Sequence, residues 1–425
     1  MPPVRSATVS VFGGGPGGLM AAEVLAAGGA HVTVYEHMRS PGRKFTLAGR
    51  GGLNLTHSEA LDEFVQRYSG PAAGNVVSAV RSFPPEELEN WCAALGEPTF
   101  VGSSGRVFPA SFRATPLLRA WLTRLSSLGV TVQTGARWLG WAPATAGSTG
   151  ARSSLVASDD GTVSEVAADA TVVALGGASW PRVGSDGGWV EPFRSAGVAV
   201  RDLRPSNCGM QIEWTPRFLD RFSGTPVKNV AVRVGAQGHW VRGDVMVVDA
   251  GVEGGPVYAH AGPARDSIER TGRCDLLVDL QPDLDRDALA NRLARRREKD
   301  SLDNVLRRTV GLAPVARALI REAFGPEVPR DDAGLANAIK GVPFTVTATT
   351  GIDRAISSAG GIDANEVDES FMLRRVPGCF VAGEMLDWEA PTGGYLLQAT
   401  FSTAVAAARG ALEWLAEQPP AARHD

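Results

Sequence analysis

The chain has 425 residues, of which 44% are hydrophobic and 21% charged, with 42 Lys and Arg against 46 Asp and Glu and a net charge of −4. That is the make-up of a globular protein long enough for two or three domains, without the basic excess of a dedicated nucleic-acid or anionic-membrane binder. No apolar run approaches the roughly 20 residues of a membrane span, and the first residues enter a strand without a signal-peptide core, so a cytoplasmic protein is expected.

The first element is "VSVFGGGPGGLMAAEVLAAGGAHVTVYE", Val9 to Glu36. It reads as strand, glycine turn, alanine-rich helix and second strand ending on an acid. Gly13, Gly15 and Gly18 carry the G-x-G-x-x-G spacing, with Pro16 and Gly17 completing the turn. The first glycine permits the sharp turn, the second lets backbone approach a pyrophosphate, and the third allows close helix–strand packing. The helix start offers N–H groups to phosphate. Glu36 can accept both hydroxyls of an adenosine ribose and would repel a 2′-phosphate, which disfavours NADP here.

Next comes "HMRSPGRKFTLAGRGGLNLTHSE", glycine-rich, basic and poor in helical periodicity. It is expected to be a cofactor-contact loop, with Arg43, Lys44, Asn54 and Leu55 as binding candidates and Arg50 adding charge. "PPEELENWCAALG" and "TPLLRAWLTRLSSLG" read as amphipathic helices, and "GVTVQTGARWLGW" as one strand. "APATAGSTGARSS" is a turn-rich loop leading into a hairpin and the buried strand "TVVALGG", which ends on Gly176 and Gly177. From about Leu203 short strands dominate ("CGMQIEW", "KNVAVRV", "HWVRGDVMVVDAG", "CDLLVDL"), an antiparallel region. From about Asp283 to Arg330 helices take over, and their excess of basic residues raises the alternative of an anionic-polymer dock; a solvated helical face is the favoured reading. After Lys340 the α/β texture returns.

The C-terminal stretch decides between NAD and FAD. "GCFVAGEMLD" is a buried strand ending in Gly383-Glu384, and Thr392, Gly393 and Gly394 open a helix that continues with Tyr395 and Leu396. In flavoproteins of the glutathione-reductase type, the acid after such a strand holds the ribityl chain. The following helix aims its positive end at the flavin pyrimidine edge, where reduction places negative charge. A second G-x-G-x-x-G between strands is missing, so NAD(P)H would bind only transiently beside the flavin. Cys92, Cys208, Cys274 and Cys379 show no CxxC spacing. Buried reduced thiols are expected, and neither a redox dithiol nor a metal site.

The motifs "GGGPGGLMAAEVLA", "PGRKFTLAGRGGLNLTHSE", "GRVFPASFRA", "VVALGGASWPRVGSDGGW", "GVEGGPVY", "AGGIDANEVDESFM" and "GCFVAGEMLDWEAPTGGYLLQAT" resemble, in order, those of the aminoacetone oxidase-like bacterial flavoproteins, the BaiN/RdsA family. The resemblance implies an α/β fold: a discontinuous Rossmann-like FAD-binding domain of the glutathione-reductase type, with an inserted antiparallel β domain and a small helical domain. The sequence boundaries are 1–202 and 346–425 for the FAD domain, 203–282 for the β insert (331–345 returning to it) and 283–330 for the helical part. It also implies non-covalent FAD and a small-molecule substrate, either an amine that is oxidised or an activated C=C bond that is reduced. The chain departs from the common Arg-Cys-Asn of the glycine-rich loop, having Gly52-Leu53-Asn54, and Leu53 can only pack. His57, Trp180, Asp387, Trp388 and Tyr395 fall in loops that the motifs bring towards the flavin, with no catalytic residue singled out. The rival reading is a non-catalytic FAD-binding or RNA-associated protein that uses the basic helices; oligomeric state is open.

Overall fold

The structure is a computed structural model that describes residues 7–143, 151–297 and 299–418. Part of the turn-rich loop before the hairpin, Glu298 and the side chain of Arg50 therefore lie outside the described residues. The chain forms two compact units, Met1–Arg204 with Ser357–Asp425, and Pro205–Ile356.

The first unit is built on a five-stranded parallel sheet. β1 (Thr8–Phe12) is central, and from Val9 to Phe12 its side chains are buried on both faces, as in a strand covered on both sides. It is followed by α1 (Pro16–Ala27) and β2 (His31–Glu36), which pairs in parallel with β1, Val9 opposite Val32 and Phe12 opposite Tyr35. The expected basic loop is instead partly helical: α2 (Arg43–Ala48) runs into a single 3₁₀ turn, Gly49–Gly51. Six residues are too few for a periodic signal, and buried Phe45 alone anchors them.

A small antiparallel sheet follows, β3 (Thr56–His57), β4 (Thr99–Val101) and β5 (Arg106–Pro109), in the order β3-β5-β4. The two amphipathic helices form at Pro85–Ala94 and Ala114–Ser127, the latter labelled α3. The single strand read from "GVTVQTGARWLGW" is two: β6 (Thr131–Thr134) joins the parallel sheet, and β7 (Ala136–Trp141) belongs to another. Gly135, at φ +66°, makes the break in a conformation that favours glycine. β7 pairs with β8 (Ser154–Ser158) and β8 with β9 (Val163–Val166), after which β10 (Ala170–Val173) enters the parallel sheet beside β1. The chain leaves this unit along β11 (Val200–Ser206).

The second unit is a six-stranded sheet, β12 (Met210–Gln211), β13 (Pro226–Val234), β14 (Val241–Val248), β15 (Gly251–Glu253), β16 (Cys274–Asp279) and β17 (Val342–Val346), in the order β12-β15-β14-β13-β16-β17. Its pairings are antiparallel. Strand residues Val232, Val247, Leu276 and Val346 share one core with Leu289, Leu306, Ile320 and Ile339 of the helices between β16 and β17. Sheet and helices are thus one compact body here, and "GVPFTV" closes its sheet rather than opening the α/β return.

The first unit resumes with β18 (Ser357–Ile362), hydrogen-bonded to β11, then β19 (Cys379–Val381), parallel to β10. The last helix, α4 (Tyr395–Glu417), packs on α1. Small residues on both allow it: a Cβ on Gly28 would fall 2.5 Å from Leu412 Cδ1, and Ala404, Ala407 and Ala411 are fully buried. The sheet order β19-β10-β1-β2-β6 brings the C-terminal ends of β1, β2, β10 and β19 to one edge, where open α/β sheets bind their ligands.

Candidate functional site

Four chain segments meet at that edge. In the first, Gly13 has φ +107°, and a Cβ there would sit 2.3 Å from Ala174 O. A Cβ on Gly18 would sit 1.8 Å from Gly13 O. These two glycines are forced by close backbone approach. Gly15 is different: nothing lies within 4 Å of where its Cβ would be, so the space before α1 is open. Gly15 caps α1 with no side-chain acceptor, and Pro16 opens the helix. Buried Gly17 and Gly18 follow, so first-turn N–H groups are left for an outside acceptor.

Glu36 ends β2 at the rim of this turn, 8% exposed. Its Oε2 accepts from Gly14 N at 2.8 Å and its Oε1 from Met38 N at 2.7 Å. The carboxylate therefore ties the glycine turn to the segment after β2, a structural duty its position as strand-end acid did not announce. Each carboxylate oxygen has a further lone pair for a ribose hydroxyl.

The second and third segments meet around Lys44 of α2. Its Nζ donates to Glu384 Oε2 at 2.9 Å and to Ser179 Oγ at 2.7 Å. Glu384 Oε1 accepts from Ser358 N at 2.7 Å, and Ser358 Oγ accepts from Ala178 N at 2.9 Å. A Cβ on Gly177 would lie 2.2 Å from Ser358 Oγ, and one on Gly176 3.5 Å from Ser185 Oγ. Lys44, Gly176, Gly177 and Glu384 are thus one cluster, drawn from residues 340 apart in the case of the ion pair. Gly383, at φ +75°, makes the turn out of β19 that presents Glu384. Arg43 is exposed and has no ion-pair partner among the described residues, so it stands apart from the cluster.

The fourth segment is the start of α4. Gly393 and Gly394 take φ of +136° and +102°, and a Cβ on Gly394 would lie 2.5 Å from the Thr56 backbone. Thr392 and Leu396 flank this turn half-buried, and Gly394 supplies no side-chain cap. Beside it, Asn54 Oδ1 and Thr56 Oγ1 are buried with no hydrogen-bond partner among the described residues. Leu55 is fully buried and anchored by its N–H to Val107 O, and Leu53 is buried in the core.

Tyr395, the first residue of α4, is locked from several sides. Its hydroxyl donates to Glu59 Oε1 at 2.6 Å, its carbonyl accepts from Tyr68 Oη at 2.8 Å, and its ring stacks on His57 at 5.5 Å. Arg67 grips both Glu59 oxygens, at 3.2 and 2.7 Å. Arg67 holds the Glu59 carboxyl below the usual range, while burial and then Glu59 push the Tyr395 hydroxyl well up. His57 Nδ1 accepts from Glu59 N at 3.2 Å, so its Nε2 carries the proton and donates to Ser104 O at 3.1 Å. Glu59, Arg67 and Tyr68 are not among the sequence candidates: Glu59 only ends the motif "PGRKFTLAGRGGLNLTHSE", and Arg67 and Tyr68 lie beyond it in a stretch without one.

Trp388 Nε1 donates to Gly383 O at 2.9 Å. Asp387 is buried 3.1 Å from Arg201 Nε, and desolvation raises its pKa against the pull of Arg201 and Arg204. Trp180 is partly exposed, with φ +63°. All four cysteines are buried and none of them forms a disulfide. Burial pushes the Cys274 thiol to about 11 and the Cys92 thiol to about 12.

In the second unit, several basic side chains face acids. Arg296 pairs with Asp332, and Arg317 and Arg321 share Asp303 at 3.1 and 3.2 Å. Arg292, Arg295 and Arg297 are exposed. Among the described residues no helix is long and apolar enough to cross a membrane.

The edge fits a dinucleotide flavin. Two helix starts without side-chain caps and the orphaned Asn54 Oδ1 offer donors and an acceptor without a protein partner, the space before Gly15 is open, and Glu36 at the end of β2 keeps lone pairs beyond its two backbone bonds.

Comparisons with known proteins agree. A 3-dehydro-bile acid delta(4,6)-reductase of Clostridium scindens is 26% identical over 419 residues, 95% of this chain and 99% of that protein. A 3-ketosteroid delta1-dehydrogenase of Sterolibacterium denitrificans shares the fold at TM-score 0.54 and 12% identity, covering 96% of this chain and 100% of its own. A 3-ketosteroid-delta4-(5alpha)-dehydrogenase of Rhodococcus jostii does so at TM-score 0.51 and 15% identity, covering 97% of each. The fold is the Rossmann FAD-binding fold with an antiparallel β insert, and the chain is an FAD-dependent oxidoreductase. Residues 7–410 match the family described as "HI0933-like protein Rossmann domain", and the chain belongs to this family of FAD-dependent flavoproteins.

Proposed function

We propose that the protein reduces a carbon–carbon double bond conjugated to a carbonyl, using non-covalent FAD. The observation that carries this reading is the similarity, over nearly the full length of both chains, to a reductase that acts on such a bond in 3-dehydro-bile acids. When bound, FAD supplies hydride exchange with a substrate carbon at its N5.

The chain's own residues bind and orient. Gly15, Gly17 and Gly18 give the pyrophosphate its N–H donors, and Glu36 takes the adenosine ribose. Glu384, held by Lys44 and Ser358 N, would meet the ribityl hydroxyls; Gly177 lets Ser358 and Glu384 close in, and Gly176 adds no side chain beside them. Arg43, exposed at the start of α2, would add positive charge for the phosphates. The first turn of α4, from Gly394 through Tyr395 and Leu396, receives the pyrimidine edge together with Asn54. NAD(P)H serves as a transient donor.

Amine oxidation is the second reading that the family resemblance leaves open. Anaerobic stopped-flow spectroscopy separates the two. Bleaching of the flavin by NADH or NADPH, followed by reoxidation with a conjugated enone, is expected. Bleaching by small amines, with no reoxidation by any enone, would overturn the reading. Heat-released cofactor should chromatograph as FAD.

A further inference from the structure

We propose that the outer face of the β3-β5-β4 sheet is the platform on which the substrate docks, and that it takes a flat apolar ring system carrying a carboxylate. This rests on the proposed enone reading and names the substrate class for it.

The register defines the face. Phe100 lies opposite Phe108, and His57 opposite Arg106. Directly opposed residues share a face, and residues two apart on one strand do too. Phe100, Phe108, Arg106 and His57 therefore lie on one side. Thr56 and Val107, fully buried, lie on the other. Phe112 completes the patch, its ring 5.0 Å from Phe108 and 6.3 Å from Phe100. Phe100 and Phe112 are each 44% exposed. A soluble protein seldom leaves stacked aromatic rings in water without use for them.

Two observations tie this patch to the flavin edge rather than to an arbitrary partner. Phe112 adopts φ +59°, which bulky residues rarely take, and this lays its ring against Gly52 of the glycine-rich segment. A Cβ on Gly52 would fall 2.4 Å from Phe112 Cζ, and Leu53 N donates to Phe112 O. At the other end of the face, the His57 ring stacks on Tyr395, the first residue of α4. Through His57 this face of the sheet thus touches the first residue of α4.

Charge selects the ligand further. Arg106 is exposed on the same face as these rings and has no ion-pair partner among the described residues. An unpaired guanidinium beside aromatic rings suits a planar anion such as a carboxylate.

The test is calorimetric titration of the FAD-loaded protein with two ligands, a steroidal enone bearing a side-chain carboxylate and neutral 4-androstene-3,17-dione. Phe100→Ser should weaken both by about tenfold or more, the scale of losing one aromatic contact. Arg106→Gln should weaken only the carboxylated ligand, by about tenfold. Phe100 and Arg106 are surface positions, so both variants should fold, and circular dichroism checks this. Unchanged affinities in both variants, with the wild type still reoxidised by the enone, would overturn the platform and leave the enone reading standing. A wild type that neither binds nor is reoxidised by either ligand would overturn both. Conversion of a wild-type dimer to monomer by Phe100→Ser, without change in affinity, would assign the patch to self-association and overturn the proposal.

Discussion

Glu36 offers the sharpest separation of a structural role from a cofactor role. Glu36→Ala removes the acceptor of Gly14 N and Met38 N, bonds of 2.8 and 2.7 Å at a side chain 8% exposed. Hydrogen bonds to a charged group contribute about 1.5–3 kcal/mol each, and two backbone donors are left without a partner. Water recovers part of that at the rim of the turn, so the FAD-free protein should lose about 2–4 kcal/mol. For a unit of this size that lowers Tm by on the order of 10 °C. Glu36→Gln keeps one acceptor oxygen and sets an NH₂ against the other donor, so it should lie between the wild type and the alanine variant. Differential scanning fluorimetry on FAD-stripped and FAD-loaded protein separates the two roles. If Glu36 acted on the ribose alone, the stripped variants would melt with the wild type and only the loaded forms would differ. That result would refute the assignment of Glu36 as the tie between the glycine turn and the strand end.

Gly15→Ala and Gly394→Ala should fail in different ways. A Cβ on Gly15 enters open space at φ −80°, so the stripped protein should melt normally while FAD retention drops. A Cβ on Gly394 meets the Thr56 backbone at 2.5 Å and φ +102°, so the stripped protein itself should be destabilised, by about 2 kcal/mol or more. Equal melting of the two stripped variants would contradict this. Glu59→Gln tests the clamp on Tyr395. The folded pKa of Glu59 lies below its unfolded value, so the ionised form stabilises above about pH 4 and that contribution is lost as pH falls through the folded value. Arg67 is 49% exposed, so the effect should stay below about 1 kcal/mol, and a Tm gap to wild type that widens on acidification would reverse the assigned sign. Reversing Arg292, Arg295 and Arg297 to glutamate, sparing the Asp332-paired Arg296, should leave the fold, FAD content and flavin reduction unchanged. A salt-sensitive affinity of the wild type for structured RNA, lost in that variant, would restore the rival RNA reading.

The sequence carried the parts of this site that depend on local backbone geometry. A Gly-x-Gly-x-x-Gly turn between two strands, and paired glycines before an alanine-rich helix, are forced by sterics that leave few alternatives, and Gly13, Gly18 and Gly394 each stand against backbone at short range. Long-range partnerships left no trace. The pairing of Lys44 with Glu384 spans most of the chain, and Glu59 with Arg67 are two among many charges on a short irregular stretch. Short elements were also hidden: α2 is too brief to show a period, and Gly135 splits one apparent strand into two sheets. "GVPFTV" reads both as a strand of the β insert, as the 331–345 boundary has it, and as the start of the α/β return. Only its pairing with β16 distinguishes the two.

The same geometry narrows where a proton for the reduced bond can originate on the proposed reading. Of the side chains that the motifs bring towards the flavin, Tyr395 already donates its proton to Glu59, Trp388 donates to Gly383 O, and His57 uses both ring nitrogens on backbone groups. Leu53 can only pack, and the Cys92 and Cys274 thiols are buried and hold their protons. Trp180 has only an indole N–H, which is no acid. Asp387 differs from all of these: it is the carboxyl that burial drives upward despite Arg201 at 3.1 Å, and its chain position is five residues before the turn that opens α4. On the proposed reading, Asp387 is therefore the side chain among these to test as the source of that proton.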